Sequence, residues 1–205
     1  MTTRGVCYVV FGPEAQREAG HAIEAVRRFS GYPVAVIGDQ MPGVQHVPFA
    51  ERHLGRWAKA NLYELSPYDA TLYMDADTRC NVSPDVGFHA LDDGWDLVIV
   101  PCRREVQGSD WLWHVEEKDR EATREAVGRA VALQGGVFWF GRNWRVRRFF
   151  KAWRSEWERF QGQDQGALLR ALHANPLRVW LLGHDWNGGA LISHRYGMAR
   201  RRARV

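Results

Sequence analysis

Pro67-Tyr68-Asp69-Ala70-Thr71-Leu72-Tyr73-Met74-Asp75-Ala76-Asp77-Thr78 is the stretch on which the reading of this sequence turns. Ala70 to Met74 is a short apolar run with the length and aromatic content of a buried strand. Two aspartates follow it at i and i+2. On an extended strand end such residues point to one side, so Asp75 and Asp77 are expected to present two carboxylates to one place. Paired hard oxygens suit Mg²⁺ or Mn²⁺, with water and phosphate filling the remaining positions. By itself such a pair also fits a solvated turn, so its meaning rests on what surrounds it.

Upstream, Val6 to Phe11 reads as a buried strand ended by Gly12-Pro13. Glu14 to Ser30 reads as a helix, with Ala15, Ala19, Ala22, Ile23, Val26 and Phe29 at three- and four-residue steps. Pro33 to Ile37 is a second strand, stopped by Gly38-Asp39, and Val44 to Phe49 a weaker third. Arg52 to Leu65 is a second helix, with Leu54, Trp57, Ala58 and Leu62 on one side and Ser66-Pro67 closing it. Downstream, Leu97 to Val100 is a strand closed by Pro101. Arg103 to Arg129 is a charged excursion holding Trp111-Leu112-Trp113, helical from Glu116 onward. Val131 to Phe140 returns to a strand pattern around Gly135-Gly136.

Asn143 to Phe160 then forms a helix striped by Phe149, Trp153, Trp157 and Phe160. Its other face carries Arg145, Arg147, Arg148, Lys151 and Arg154, read either as a solvated face or as an anion-binding surface. Gln163 to His173 is a further helix. Leu177 to Leu182 and Ala190 to Ser193 are the last apolar runs. Alternating strands and helices define an α/β class, a Rossmann-like and mostly parallel central sheet flanked by helices. Such sheets bind ligands beyond the carboxyl ends of their strands. Gly12, Asp39 and Asp75 to Thr78 therefore fall where a ligand is expected.

Composition narrows the function classes. At 205 residues the chain is one domain's length. Hydrophobic content of 45% and charged content of 25% exclude disordered and fibrous classes. No run of about 18 apolar residues exists to span a membrane, and the opening residues lack the core of a secretory signal. Cys7, Cys80 and Cys102 show no CxxC spacing, which disfavours zinc or disulfide frameworks and fits a reducing cytoplasm. Net charge is +4, and Arg200, Arg201, Arg202 and Arg204 account for all of it. This arginine tail reads as a solvated, disordered end, or as a contact for nucleic acid or another anionic surface. Most of the ten tryptophans are expected in the core.

Taken together and in order, these pieces resemble the GT-A fold glycosyltransferases, most closely the family-8-like nucleotide-diphospho-sugar transferases. Val6 to Gly12 resembles the opening nucleotide-binding strand, and Val34 to Asp39 the second strand, whose terminal acid lies near the nucleoside. Arg56-Trp57-Ala58-Lys59 is similar to the basic helix that feeds the Asp-x-Asp strand. Gln134-Gly135-Gly136-Val137-Phe138 resembles an Asn-Ser/Ala-Gly-Val strand, and Asp164-Gln165 the family's Asp-Gln pair. Trp186-Asn187 followed by Ile192-Ser193-His194 resembles the closing Trp/Tyr-Asn…His element.

The resemblance implies one transferase domain over residues 1–198 with a basic tail over 199–205. It implies Mn²⁺ or Mg²⁺ held by Asp75, Asp77 and His194, the imidazole favouring Mn²⁺. It places Phe11, Gly12, Asp39, Arg56, Lys59, Asp75, Ala76, Asp77, Gln134, Gly135, Gly136, Asn187 and Arg195 against a nucleotide sugar, UDP-linked by family habit. Asp164 and Gln165 would lie beside the transferred sugar, and transfer to an acceptor hydroxyl would retain the anomeric configuration. The departures are Gln134 in place of Asn, a short chain, and the absence of a Lys-Pro-Trp after the histidine, for which Arg195 is the substitute. The acceptor is open: a polyanion such as modified DNA suits the basic segments, and a protein side chain or small glycan stands beside it.

Two other readings exist. Asp75-Ala76-Asp77-Thr78-Arg79 nearly mimics the Asp-x-Asp-x-Thr of haloacid-dehalogenase phosphatases, whose first Asp is a nucleophile. That family carries the motif on its first strand and a late acidic pair, neither of which this sequence has. The third reading is a non-catalytic α/β domain that binds nucleotide or nucleic acid.

Overall fold

The computed structural model describes residues 2–51, 55–102, 115–128 and 130–196. The arginine tail, Leu54, the Trp111-Leu112-Trp113 cluster and most of the charged excursion lie outside the described residues.

The elements run β1 (Arg4–Val10), α1 (Pro13–Phe29), β2 (Val34–Gly38), β3 (Gln45–Val47), α2 (Gly55–Ala60), α3 (Leu62–Leu65), β4 (Ala70–Met74), β5 (Thr78–Cys80) and α4 (Asp85–Asp92). They continue β6 (Leu97–Pro101), α5 (Glu117–Val127), β7 (Leu133–Gly141), α6 (Trp144–Glu158), α7 (Asp164–Ala174), β8 (Val179–Leu181), a 3-10 turn (His184–Trp186) and β9 (Ile192–His194). Seven strands form one sheet in the order β3-β2-β1-β4-β7-β6-β8, and β5 and β9 form a separate two-stranded ribbon. Within the large sheet only β7 runs antiparallel to its neighbours. The architecture is the mostly parallel α/β sheet that the alternation of elements implied.

Both faces of the sheet are covered, which is why its strands read as unbroken apolar runs rather than alternating ones. Successive residues of β7 serve opposite sides. Phe138 and Phe140 pack on Phe149, Phe150 and Trp153 of α6, while Val137 and Trp139 join Ala19, Ala22, Ile23 and Val26 of α1 and Phe88 of α4. Asn143 starts α6 by accepting the Val146 N–H at 3.0 Å, an ordinary N-cap. Helix α6 stops at Glu158 and buries Phe150 in the place expected for Phe160. Phe160 instead lies under the guanidinium groups of Arg159 and Arg170.

Further departures bear on the site. The single helix expected up to Leu65 is two, α2 and α3, divided at Asn61. The Asn61 side chain donates to the Trp57 carbonyl at 2.8 Å, competing with the helical ladder at that point. Helix α2 buries Ala58, Lys59 and Ala60 together, so a lysine lies on the apolar side. Elements α4 and β5 fill a stretch for which the sequence offered no clear periodicity. On α6, Arg145 pairs with buried Asp96, Arg148 donates to Asn175 and Arg154 to Asn61. That face offers less free positive charge than its sequence suggests. No helix of the described residues is long and apolar enough to cross a membrane.

Candidate active site

The Asp75–Asp77 pair does not lie on an extended strand end. β4 stops at Met74, and the chain turns at once: Thr78 N–H donates to the Asp75 carbonyl at 3.1 Å, and the Thr78 hydroxyl donates to the same oxygen at 2.7 Å. The two carboxylates share one side because a four-residue turn folds them together. The turn leads into β5, whose antiparallel pairing sets Thr78 opposite His194 of β9. That register carries a histidine more than a hundred residues away in sequence to the carboxylates. His194 Nε2 lies 3.1 Å from Asp77 Oδ1 and 3.8 Å from Asp75 Oδ2. The ligand atoms of Asp75, Asp77 and His194 all fall within 4.8 Å of one another.

The imidazole is oriented from behind. Its Nδ1 is 2.7 Å from Oδ1 of Asn187, a fully buried residue. With Nδ1 held against that oxygen, Nε2 is directed at the carboxylate oxygens, where it could share a cation with them. Gly136 leaves room for this. A Cβ there would stand 2.5 Å from His194 Cε1 and 3.0 Å from Asp75 Oδ2. Two carboxylates and one imidazole around a cradle kept clear by a glycine fit Mn²⁺ or Mg²⁺.

Lys59 links this corner to Asp164. Its ammonium is buried, 3.1 Å from Asp75 Oδ1 and 2.9 Å from Asp164 Oδ2. Burial alone would lower the Lys59 pKa, yet Asp164 and then Asp75 hold it above the usual lysine range. Burial would likewise raise the Asp164 carboxyl, and Lys59 with nearby Arg56 holds it below the usual carboxylate value. Asp164 is therefore ionised and, as the first residue of α7, sits at the favourable end of the helix dipole. A Cβ at Gly135 would stand 3.2 Å from Asp164 Oδ2. The adjacent glycines, at a bulge in the β6–β7 pairing, thus open onto the two halves of one polar cluster. The Tyr73 hydroxyl donates to Asp75 Oδ1 at 2.6 Å, and burial with the surrounding carboxylates holds its pKa well up, so it stays a donor.

At the ends of β1 and β2, Gly12 N–H donates to Asp39 Oδ2 at 2.7 Å, with Gly12 at a φ of 85°. Asp39, Gln16, Gln40, His46 and Phe49 line an open cleft of about 410 Å³. Phe11 and Trp57 flank Phe49 at ring separations of 6.1 and 5.6 Å. The cleft and the acidic cluster share the carboxyl edge of the sheet.

Three expected site residues are engaged in ways the sequence did not suggest. Lys59 is the buried tie just described. The Gln165 amide donates to the Leu133 carbonyl at 2.7 Å and reaches Cys102 Sγ at 2.9 Å, fastening α7 to β7. The Arg195 guanidinium pairs with Glu18 at 3.0 Å. Arg56 is exposed, and Gln134 lies 3.4–3.5 Å from the Tyr196 hydroxyl. The sequence reading missed Tyr73, although it precedes Asp75 by two in a strand pattern. It also missed Glu18, and Tyr196, whose ring stacks on His194 at 4.2 Å with its backbone at a φ of 49°.

No protein-family model matches this sequence, and no curated protein matches it. Solved structures do. The bifunctional glycosyltransferase WbbM superposes with a TM-score of 0.67 at 14% identity, over 91% of this chain and 40% of that one. Mouse xyloside xylosyltransferase 1 gives 0.59 at 9% identity, over 90% and 87%. The galactosyltransferase LgtC, solved with donor and acceptor sugar analogues, gives 0.59 at 15% identity, over 88% and 73%. The chain thus spans well under half the length of WbbM and most of the other two. The fold of this chain is the GT-A fold of these glycosyltransferases.

Proposed function

We propose that this chain is a metal-dependent glycosyltransferase that moves a sugar from a UDP-linked donor to an acceptor hydroxyl, with retention. The observation that carries it is the convergence of Asp75, Asp77 and His194 within 4.8 Å, joined through Lys59 to an ionised Asp164. Asp75, Asp77 and His194 would hold Mn²⁺ or Mg²⁺. When bound, the cation neutralises the diphosphate as it leaves.

The chain's own groups supply the rest. The cleft beside Phe11, Gly12 and Asp39 suits a nucleoside, with Gly12 N–H and the Asp39 carboxylate already aligned. Gly135 and Gly136 let a sugar ring approach the backbone closely. As the bond from the anomeric carbon to the phosphate oxygen breaks, its electron pair leaves with UDP and positive charge develops on the sugar. Asp164, kept anionic by Lys59 and Arg56, is the group suited to face that charge. Its reach favours it over Gln165, whose amide is committed to Leu133 and Cys102. In Lys59 the same reasoning assigns a charge that orients Asp75 and Asp164 rather than a direct phosphate contact.

Residues 1–198 form the transferase domain in this reading, and residues 199–205 a basic tail. A polyanion such as modified DNA is one acceptor suited to the basic segments of the sequence, beside a protein side chain or a small glycan. Cys7, Cys80 and Cys102 are all buried and suit a reducing cytoplasm. A panel of nucleotide sugars with Mn²⁺ tests the donor assignment. A UDP-sugar is expected to raise the melting temperature and release UDP slowly to water. Stabilisation without any UDP release under turnover conditions would favour the non-catalytic binder. DNA affinity that falls steeply with salt supports the acceptor class, and no binding at low salt removes it.

A further inference from the structure

Helix α1 buries a carboxylate on its apolar stripe. Glu18 lies beside Ala19 and Ala22 and is 6% exposed. Two arginines meet it. Arg79, from β5, reaches Glu18 Oε2 at 2.5 Å, and Arg195, directly after β9, reaches Oε1 at 3.0 Å and Oε2 at 3.2 Å. Both are close in the chain to the metal-ligand candidates, Arg79 two residues after Asp77 and Arg195 directly after His194. Arg79 donates to the carbonyls of Ala76 at 3.2 Å and Thr78 at 2.7 Å, inside the turn that shapes Asp75 and Asp77. The Arg195 N–H donates to the Asp77 carbonyl at 3.1 Å, and its side chain anchors the residue next to His194.

The β5–β9 ribbon has three residue pairs and is not part of the large sheet. A ribbon of that size is marginal without support. Its turn and its histidine have to be held to a fraction of an ångström for three ligand atoms to meet. From this geometry we infer that Glu18 is a positioning residue for the metal site: a buried anion that clamps both ligand-bearing arms onto α1 through two guanidinium groups. Glu18 touches none of the ligand atoms and acts through Arg79 and Arg195. The role rests on the metal-dependent reading, since it concerns the same three ligands.

The test is Mn²⁺ binding to the full chain without nucleotide, followed by the spin-resonance signal of free Mn²⁺. Replacing a group that orients metal ligands commonly costs about 10- to 100-fold in metal affinity, and Glu18→Gln is expected to weaken Mn²⁺ binding by about tenfold or more on that basis. Glu18→Asp, which keeps the charge, should recover part of that loss. Arg195→Gln releases only the histidine arm of a half-exposed pair; it should keep the chain folded and weaken Mn²⁺ binding by less than Glu18→Gln. Asp96→Asn, in a buried ion network away from the ribbon, should lower stability and leave Mn²⁺ affinity unchanged. If the wild-type chain binds Mn²⁺ and neither Glu18→Gln nor Arg195→Gln weakens it, the Glu18 role is wrong while the metal reading stands. If Asp96→Asn weakens Mn²⁺ binding as much as Glu18→Gln does, the effect is general loosening and the positioning role is overturned. A wild-type chain that takes up no Mn²⁺ overturns the metal reading itself.

Discussion

Two carboxylate centres in this chain, one buried and one partly exposed, have opposite electrostatic characters. Asp96, at the start of β6, is fully buried and surrounded by donors. Arg145 reaches it at 2.7 and 2.9 Å, the Asn143 amide at 2.9 Å and the Arg178 N–H at 3.0 Å. Burial would raise its pKa, but Arg145 and these hydrogen bonds hold it down at about 2. At the carboxyl edge of the sheet, Asp75, Asp77 and Asp164 gather around one ammonium, that of Lys59, and one imidazole. A carboxylate with every lone pair answered holds secondary structure together and has nothing left for a ligand. A cluster richer in anionic oxygen than in fixed cations is destabilising until something positive arrives, which is how a cation site differs from a structural ion pair.

Substitutions at the two centres should therefore fail differently. Asp77→Ala removes repulsion along with a ligand. It is expected to lower Mn²⁺-dependent UDP release about 100-fold or more, the scale of losing one preorganised group at a developing charge. Its melting temperature should hold, as calorimetry on the same samples would establish; unchanged UDP release would remove the metal centre. Asp96→Asn is the reverse case. Removing the carboxylate breaks the pair with Arg145 and leaves the Asn143 amide and the Arg178 N–H without their acceptor, a loss of about 1–3 kcal/mol visible in urea unfolding, with the Mn²⁺ affinity of the folded chain unaltered. A stable Asp96→Asn would mean that the two centres do not differ in structural role.

The two glycines sharpen the comparison inside the site. Gly136→Ala pushes on the His194 ring and Asp75, so Mn²⁺ affinity should fall about tenfold, as for other disturbances behind metal ligands. Gly135→Ala crowds Asp164 alone. It should leave Mn²⁺ binding intact and lower turnover, and equal effects on both readouts from both variants would contradict the division into two halves. The smallest effect is in acid. Asp96 has a depressed folded pKa, so its contribution is fully present above the ordinary aspartate value of 3.8 and is lost as pH falls through about 2. Melting temperature followed across that window should drop less steeply in Asp96→Asn than in the wild type.

Much of the fold was legible because it is written in local periodicity. Strand β4 over Ala70–Met74, the α1 stripe through Ala19, Ala22, Ile23 and Val26 and the α7 start near Asp164 all follow from the spacing of apolar residues, as does the parallel α/β class, while Phe29, expected on the same stripe, lies exposed where α1 ends. The order of motifs around Asp75 and Asp77 gave the GT-A fold. Even the position of Glu18 on the buried stripe was in the sequence, three residues after Ala15 and four before Ala22, although nothing there said which cations it meets.

What the sequence determined, then, is which elements form and which residue types stand at their ends. Three things were decided only by the tertiary structure. The aspartates converge through a hydrogen-bonded turn rather than an extended end, His194 arrives by cross-strand register, and Lys59 leaves solvent to join Asp75 and Asp164. The physical reason is range. Periodicity records a residue's preference for one side of its own helix or strand, whereas charge pairing and strand register depend on groups distant in the chain, whose positions exist only once the core has packed.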